Sequence, residues 1–105
     1  MTKHFRRPYV IEMGEGAATA LGPALRRELV AVGASFPVVG DHSTVRFVVS
    51  ERFVVSGEAG WKVEDTGMEL RVPLERVGDV AALFDGRSGW LNVDLWPGLW
   101  FRVVH

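Results

Sequence analysis

Ala18, Leu21, Leu25, Leu29 and Val32 recur at three- and four-residue intervals, with Arg26, Arg27 and Glu28 between them. This spacing predicts a helix with one apolar face. Before it, Tyr9-Val10-Ile11-Glu12-Met13 is rich in strand formers and closes on Gly14-Glu15-Gly16, so a strand is expected to turn into the helix. Pro23 favours a start of the well-formed helix at Thr19 or Gly22, because proline fits the first turn and breaks an interior. Gly33 supplies the stop.

After that helix the apolar period drops to two. Phe36 to Val39 is a short extended piece that runs into the turn formers Gly40-Asp41-His42-Ser43. Arg46-Phe47-Val48-Val49-Ser50 is then repeated as Arg52-Phe53-Val54-Val55-Ser56. The offset of six is even, so one bent or bulged strand from Val45 to Ser56 would carry Phe47, Val49, Phe53 and Val55 on its core face. Gly57-Glu58-Ala59-Gly60 leads to a strand at Trp61-Lys62-Val63-Glu64, and Asp65-Thr66-Gly67 to another in which Met68, Leu70 and Val72 point inward. Pro73 opens a second helix through Leu74, Val77, Val80, Ala81 and Phe84, stopped at Gly86 and weakened by Gly78. The chain ends in Trp90 to Trp96, Pro97-Gly98, and Leu99 to Val104, which reads as a hairpin with a type II turn.

Strands and helices therefore do not alternate as a parallel α/β fold requires. The expected class is α+β: a mostly antiparallel sheet of five to seven strands with one long and one shorter helix, in the order β-α-β-β-β-β-α-β-β. At 105 residues a single globular domain spanning 1–105 is expected.

Charge and composition narrow the function. Twelve basic against thirteen acidic residues give a net charge of −1, which disfavours nucleic acid and anionic lipid as partners. The basic cluster Lys3, His4, Arg6 and Arg7 reads as a solvated tail. The absence of cysteine removes disulfides, thiolate metal sites and thiol nucleophiles. No apolar run resembles a signal or spanning segment, so a cytoplasmic protein with no membrane association is expected.

Motifs for chemistry are weak. Gly14-x-Gly16 lacks the third glycine of a dinucleotide turn, Thr19 standing in its place, and reads as a tight turn needing positive φ. Asp41-His42-Ser43 has the residue types of a hydrolytic triad, but sequence neighbours do not converge as a triad must. His4, His42 and His105 lack ligand spacing, so neither metal nor cofactor is expected. Glu12, Glu51 and Asp94 interrupt apolar strands and are the candidates for carboxylate chemistry.

Three of the four tryptophans, Trp90, Trp96 and Trp100, fall in the last sixteen residues, where both faces of the expected hairpin carry large apolar groups. With a two-residue loop, Trp90, Asn92, Asp94, Trp96 and Phe101 share one face, and an antiparallel sheet at a domain surface buries only one face. That face is the expected partner-binding surface, with Trp90, Trp96 and Phe101 as apolar anchors and Asn92 and Asp94 as polar partners. The reading that follows is a non-catalytic protein-binding domain of inhibitor, immunity or adaptor type. A self-associating structural or assembly subunit, as in a homodimer or a phage-type assembly, is the alternative, and a small enzyme with a carboxylate-based site the third.

Overall fold

The computed structural model of the chain describes residues 9–40, 43–51 and 60–105. Its elements are β1 (Tyr9–Gly14), α1 (Glu15–Glu28), β2 (Ser35–Val39), β3 (Thr44–Ser50), β4 (Trp61–Glu64), β5 (Gly67–Pro73), a 3-10 turn (Leu74–Arg76), α2 (Val77–Leu83), β6 (Gly89–Leu91) and β7 (Leu99–Val104). The class is α+β, in the expected order. The strands form two mixed sheets, β1-β7-β6 and β2-β3-β5-β4, in which β1 runs parallel to β7 and β3 parallel to β5.

Phe47 and Val49 of β3 and Met68, Leu70 and Val72 of β5 are buried, as their alternation predicts. The expected continuation to Ser56, with Arg52, Phe53 and Val55, lies outside the described residues, as do Lys3, His4, Arg6, Arg7, Asp41, His42 and the turn at 57–59. On the outward side of the four-stranded sheet Arg46 bridges Glu64 (3.1 Å) and Glu69 (3.0 Å), and Lys62 approaches Glu69 at 3.7 Å. That face is charged and internally paired.

Helix α1 starts earlier than Pro23 suggested. Gly14 ends β1 and serves as the N-cap in an extended conformation, and Glu15 is already helical. No positive-φ turn intervenes, and a Cβ at Gly14 or Gly16 would meet nothing within 4 Å. Pro23 sits inside the helix on its exposed side. The carbonyl four residues before it belongs to Thr19, which is also exposed, so solvent has access to the acceptor that Pro23 leaves without an N–H. The helix ends at Glu28, where the Leu29 N–H still donates to the Leu25 carbonyl (2.9 Å); Val32 lies past the end and is exposed.

Ala18, Leu21, Leu25 and Leu29 bury against Val77, Val80, Ala81 and Phe84 and against the inward faces of both sheets. At the helix crossing a Cβ on Gly22 would come within 2.9 Å of the Ala81 carbonyl, so the close approach requires glycine there. The second helix is shorter than its pattern. Leu74 to Arg76 form a 3-10 turn, which leaves Leu74 40% exposed rather than in the core.

Candidate protein interface

The terminal hairpin keeps its turn but not its expected register. Leu99 N–H donates to the Trp96 carbonyl (3.1 Å), and Gly98 has φ +81°, so Pro97 and Gly98 occupy the central positions of a type II turn. A two-residue loop would pair Leu91 with Val104. Instead Leu91 pairs with Phe101 and Trp90 with Arg102, three positions away. An odd shift moves every side chain of one strand to the opposite face relative to the other. Residues 92–98 thus form a loop with a second turn, in which the Trp96 N–H donates to the Val93 carbonyl (3.2 Å).

Two indole N–H groups hold this loop. Trp96 donates to the Arg71 carbonyl at 2.9 Å, and Trp61 donates to the Pro97 carbonyl at 2.8 Å. Trp96 reaches from one sheet to the other: its ring lies 5.9 Å from Phe47 and 5.9 Å from Phe101, centroid to centroid. Phe101 meets Phe84 edge-on at 5.1 Å. Both Trp96 and Phe101 are completely buried within the chain. They are core residues, and the expected five-residue contact surface loses them: the register turns Phe101 inward, and the 92–98 loop carries Trp96 into the core.

The structure leaves Trp90, Asn92 and Asp94 at the surface. Trp90 is 57% exposed on the outward face of β6. Its ring meets Trp100 at 6.3 Å in a T-shaped contact, and the Arg102 guanidinium lies 5.5 Å from its centroid. The parallel register puts Val10 beside Trp100 and Glu12 beside Arg102, and Arg102 binds Glu12 at 3.4 Å. One sheet face therefore carries Trp90, Trp100, Val10 and Val104 around a single ion pair, and no described element covers it. Trp100, Val10 and Arg102 were not among the expected contact residues; the same alternation with the loop lengthened to 92–98 finds Trp100 and Arg102, while Val10 joins them only through the β1–β7 pairing. Asn92 and Asp94, both turn formers, were the signal for that longer loop.

The remaining candidates are scattered. Arg76 donates to Asp94 (2.9 Å) and to Asp79 (2.9 Å), tying the start of α2 to the loop. That hydrogen bond holds the Asp94 carboxyl below its ordinary value and, with its charge, raises Arg76 above the usual guanidinium value. Glu12, Glu51 and Asp94 are all exposed, on β1, after β3 and in the 92–98 loop respectively. His105 contacts Glu15 through Nδ1 at the chain end. Among the described residues no group of three or more His, Asp or Glu could hold a metal, and no helix is long and apolar enough to cross a membrane. Comparison with protein-family models, curated proteins and solved structures finds no match to the chain.

Proposed function

We propose that this chain is a non-catalytic protein-binding domain, of the inhibitor, immunity or adaptor kind, that meets its partner through the outward face of β1-β7-β6. The observation that carries the reading is the contrast between the two outward sheet faces. One is occupied by the Arg46–Glu64–Glu69–Lys62 charges, while the other presents Trp90 beside Trp100, Val10 and Val104. Tryptophan and arginine concentrate binding energy at interfaces, and Arg102 stacked on Trp90 restrains both side chains before contact, which lowers the ordering cost. Asn92 and Asp94 supply polar groups in the loop that follows Trp90.

A second reading has its own observation. The face carries one acid and one base, Glu12 and Arg102, so a two-fold copy of itself could exchange that ion pair, as an isologous dimer requires. Light scattering of the purified protein separates the two: a monomer at all concentrations favours a foreign partner, and a fixed dimer lost on Trp90→Ala favours self-association. A Trp90→Ala variant of unchanged melting temperature that binds every partner of the wild type as tightly would refute both.

A further inference from the structure

Among the described residues four strands lie at sheet edges: β1 and β6 in one sheet, β2 and β4 in the other. They are protected unequally. Pro37 interrupts β2, β6 has three residues, and the four-residue β4 carries Lys62, all features that discourage pairing with another chain. β1 has six residues and contains neither proline nor lysine. Its Tyr9 N–H donates to the Gly98 carbonyl (3.0 Å), so in the parallel ladder Tyr9, Ile11 and Met13 face β7. The N–H and C=O groups of Val10 and Glu12 consequently point to the open side.

That open side borders a cleft of about 590 Å³. Every residue from Tyr9 to Met13 lines it, odd and even positions alike, so the cleft runs along the strand edge rather than over one face. Its other wall is formed by Val38, Gly40, Ser43 and Val45 and by the stretch from Val63 to Met68. The volume falls within the roughly 300–1,000 Å³ of ligand clefts, and five strand residues span about 16 Å. The more buried lining is apolar, including Ile11, Met13, Val45 and Met68, while the exposed lining holds Glu12 and Asp65, with Glu64 half-buried. Arg102 and Arg46 engage Glu12 and Glu64. No basic residue lines the cleft among the described residues.

The geometry points to a strand-acceptor site: an extended peptide segment of a protein partner, apolar at alternate positions and basic between them, adds to the edge of β1 that no described strand pairs. Main-chain hydrogen bonds to Val10 and Glu12 hold it, its apolar side chains enter the cleft, and its basic ones face the carboxylates. This edge adjoins the Trp90 face and shares Val10 and Glu12 with it, but its contacts are to the β1 backbone and the cleft rather than to the Trp90 and Trp100 rings.

The test titrates the full chain with a five-residue synthetic peptide alternating valine and lysine, capped at both ends, and follows backbone amide shifts and hydrogen exchange. Shifts at Tyr9 to Met13 and Val63 to Met68, with slowed exchange at the Val10 and Glu12 amides, are expected. A peptide N-methylated at alternate amides, and one with glutamate in place of lysine, should each bind at least about tenfold more weakly. Equal binding by the N-methylated peptide, or no shift at millimolar peptide, would overturn the inference. Shifts confined to Trp90, Trp100 and Val104 would also overturn it while leaving the function proposed for that face intact. Protection of Val10 and Glu12 that grows with protein concentration alone would assign the edge to a second copy and overturn the peptide reading.

Discussion

Replacing Trp96 by alanine should unfold much of what joins the two sheets. The side chain is completely buried and sits between Phe47 and Phe101. A buried tryptophan withdraws roughly 150–250 Å² from water, worth about 4–6 kcal/mol at 25 cal/mol per Å². Truncation to alanine forfeits most of this and leaves a cavity, and measured losses for such changes run at about 3–5 kcal/mol. The Arg71 carbonyl also loses its indole donor, adding about 1 kcal/mol or more unless water enters the cavity. The sum is a large share of the roughly 5–15 kcal/mol that holds a domain together. A thermal melt should therefore show a midpoint lowered by about 15 °C or more for a chain of this size. Trp96→Phe, which fills part of the cavity but cannot donate to Arg71, should fall between. A Trp96→Ala protein melting within a few degrees of the wild type would mean that Trp96 is not core, and the path of the 92–98 loop would fall with it.

Other outcomes follow from single contacts. A Cβ at Gly67 would lie 1.8 Å from the Thr44 carbonyl oxygen across the β3–β5 pair, so Gly67→Ala should cost at least about 1–3 kcal/mol in urea unfolding. Gly78→Ala in α2, where a Cβ meets nothing within 4 Å, should stabilise by up to about 1 kcal/mol; the opposite ordering of the pair would contradict the backbone placement. Asp94 is held below its ordinary pKa by Arg76, so its contribution is complete above the unfolded carboxyl value near about 4 and is lost as pH falls through the folded value. Because the pair is exposed, Asp94→Asn should cost under about 1 kcal/mol at pH 7, and the gap to wild type should close below about pH 4. A gap that widens on acidification would reverse the assigned sign.

What could be read from the residues was whatever depends on near neighbours. The alternation of Met68, Leu70 and Val72, the helical stripe from Ala18 to Leu29 and the Pro97-Gly98 turn each encode their own local geometry, and each stands in the structure as its pattern suggests. The facing of the tryptophans was not readable in the same way. It depends on how many residues the β6–β7 loop takes up, and that number is set by contacts far along the chain, Trp96 to Arg71 and Trp61 to Pro97. An error of three positions was enough to turn Phe101 inward while Trp90 kept its exposed place, and the longer loop took Trp96 out of the strand and into the core. Pro23 misled for a different reason: its penalty assumes a carbonyl with no alternative partner, and the exposed Thr19 position removes that assumption. The two parallel pairings lie further still from local pattern, since one joins β1 to β7 from opposite ends of the chain and the other joins β3 to β5 past the intervening β4.

The most direct test of the interface on β1-β7-β6 is partner capture from the native host by three immobilised proteins: wild type, Trp90→Ala and Lys62→Ala. Lys62 lies on the outward face of the other sheet and serves as a control, and melting curves confirm that both variants are folded. A species retained by wild type and by Lys62→Ala should be lost from Trp90→Ala, whose affinity for it falls by about thirtyfold or more, the roughly 2 kcal/mol of a binding hot spot. Retention of the same species by folded Trp90→Ala at unchanged affinity would contradict the assignment of this face as the contact surface.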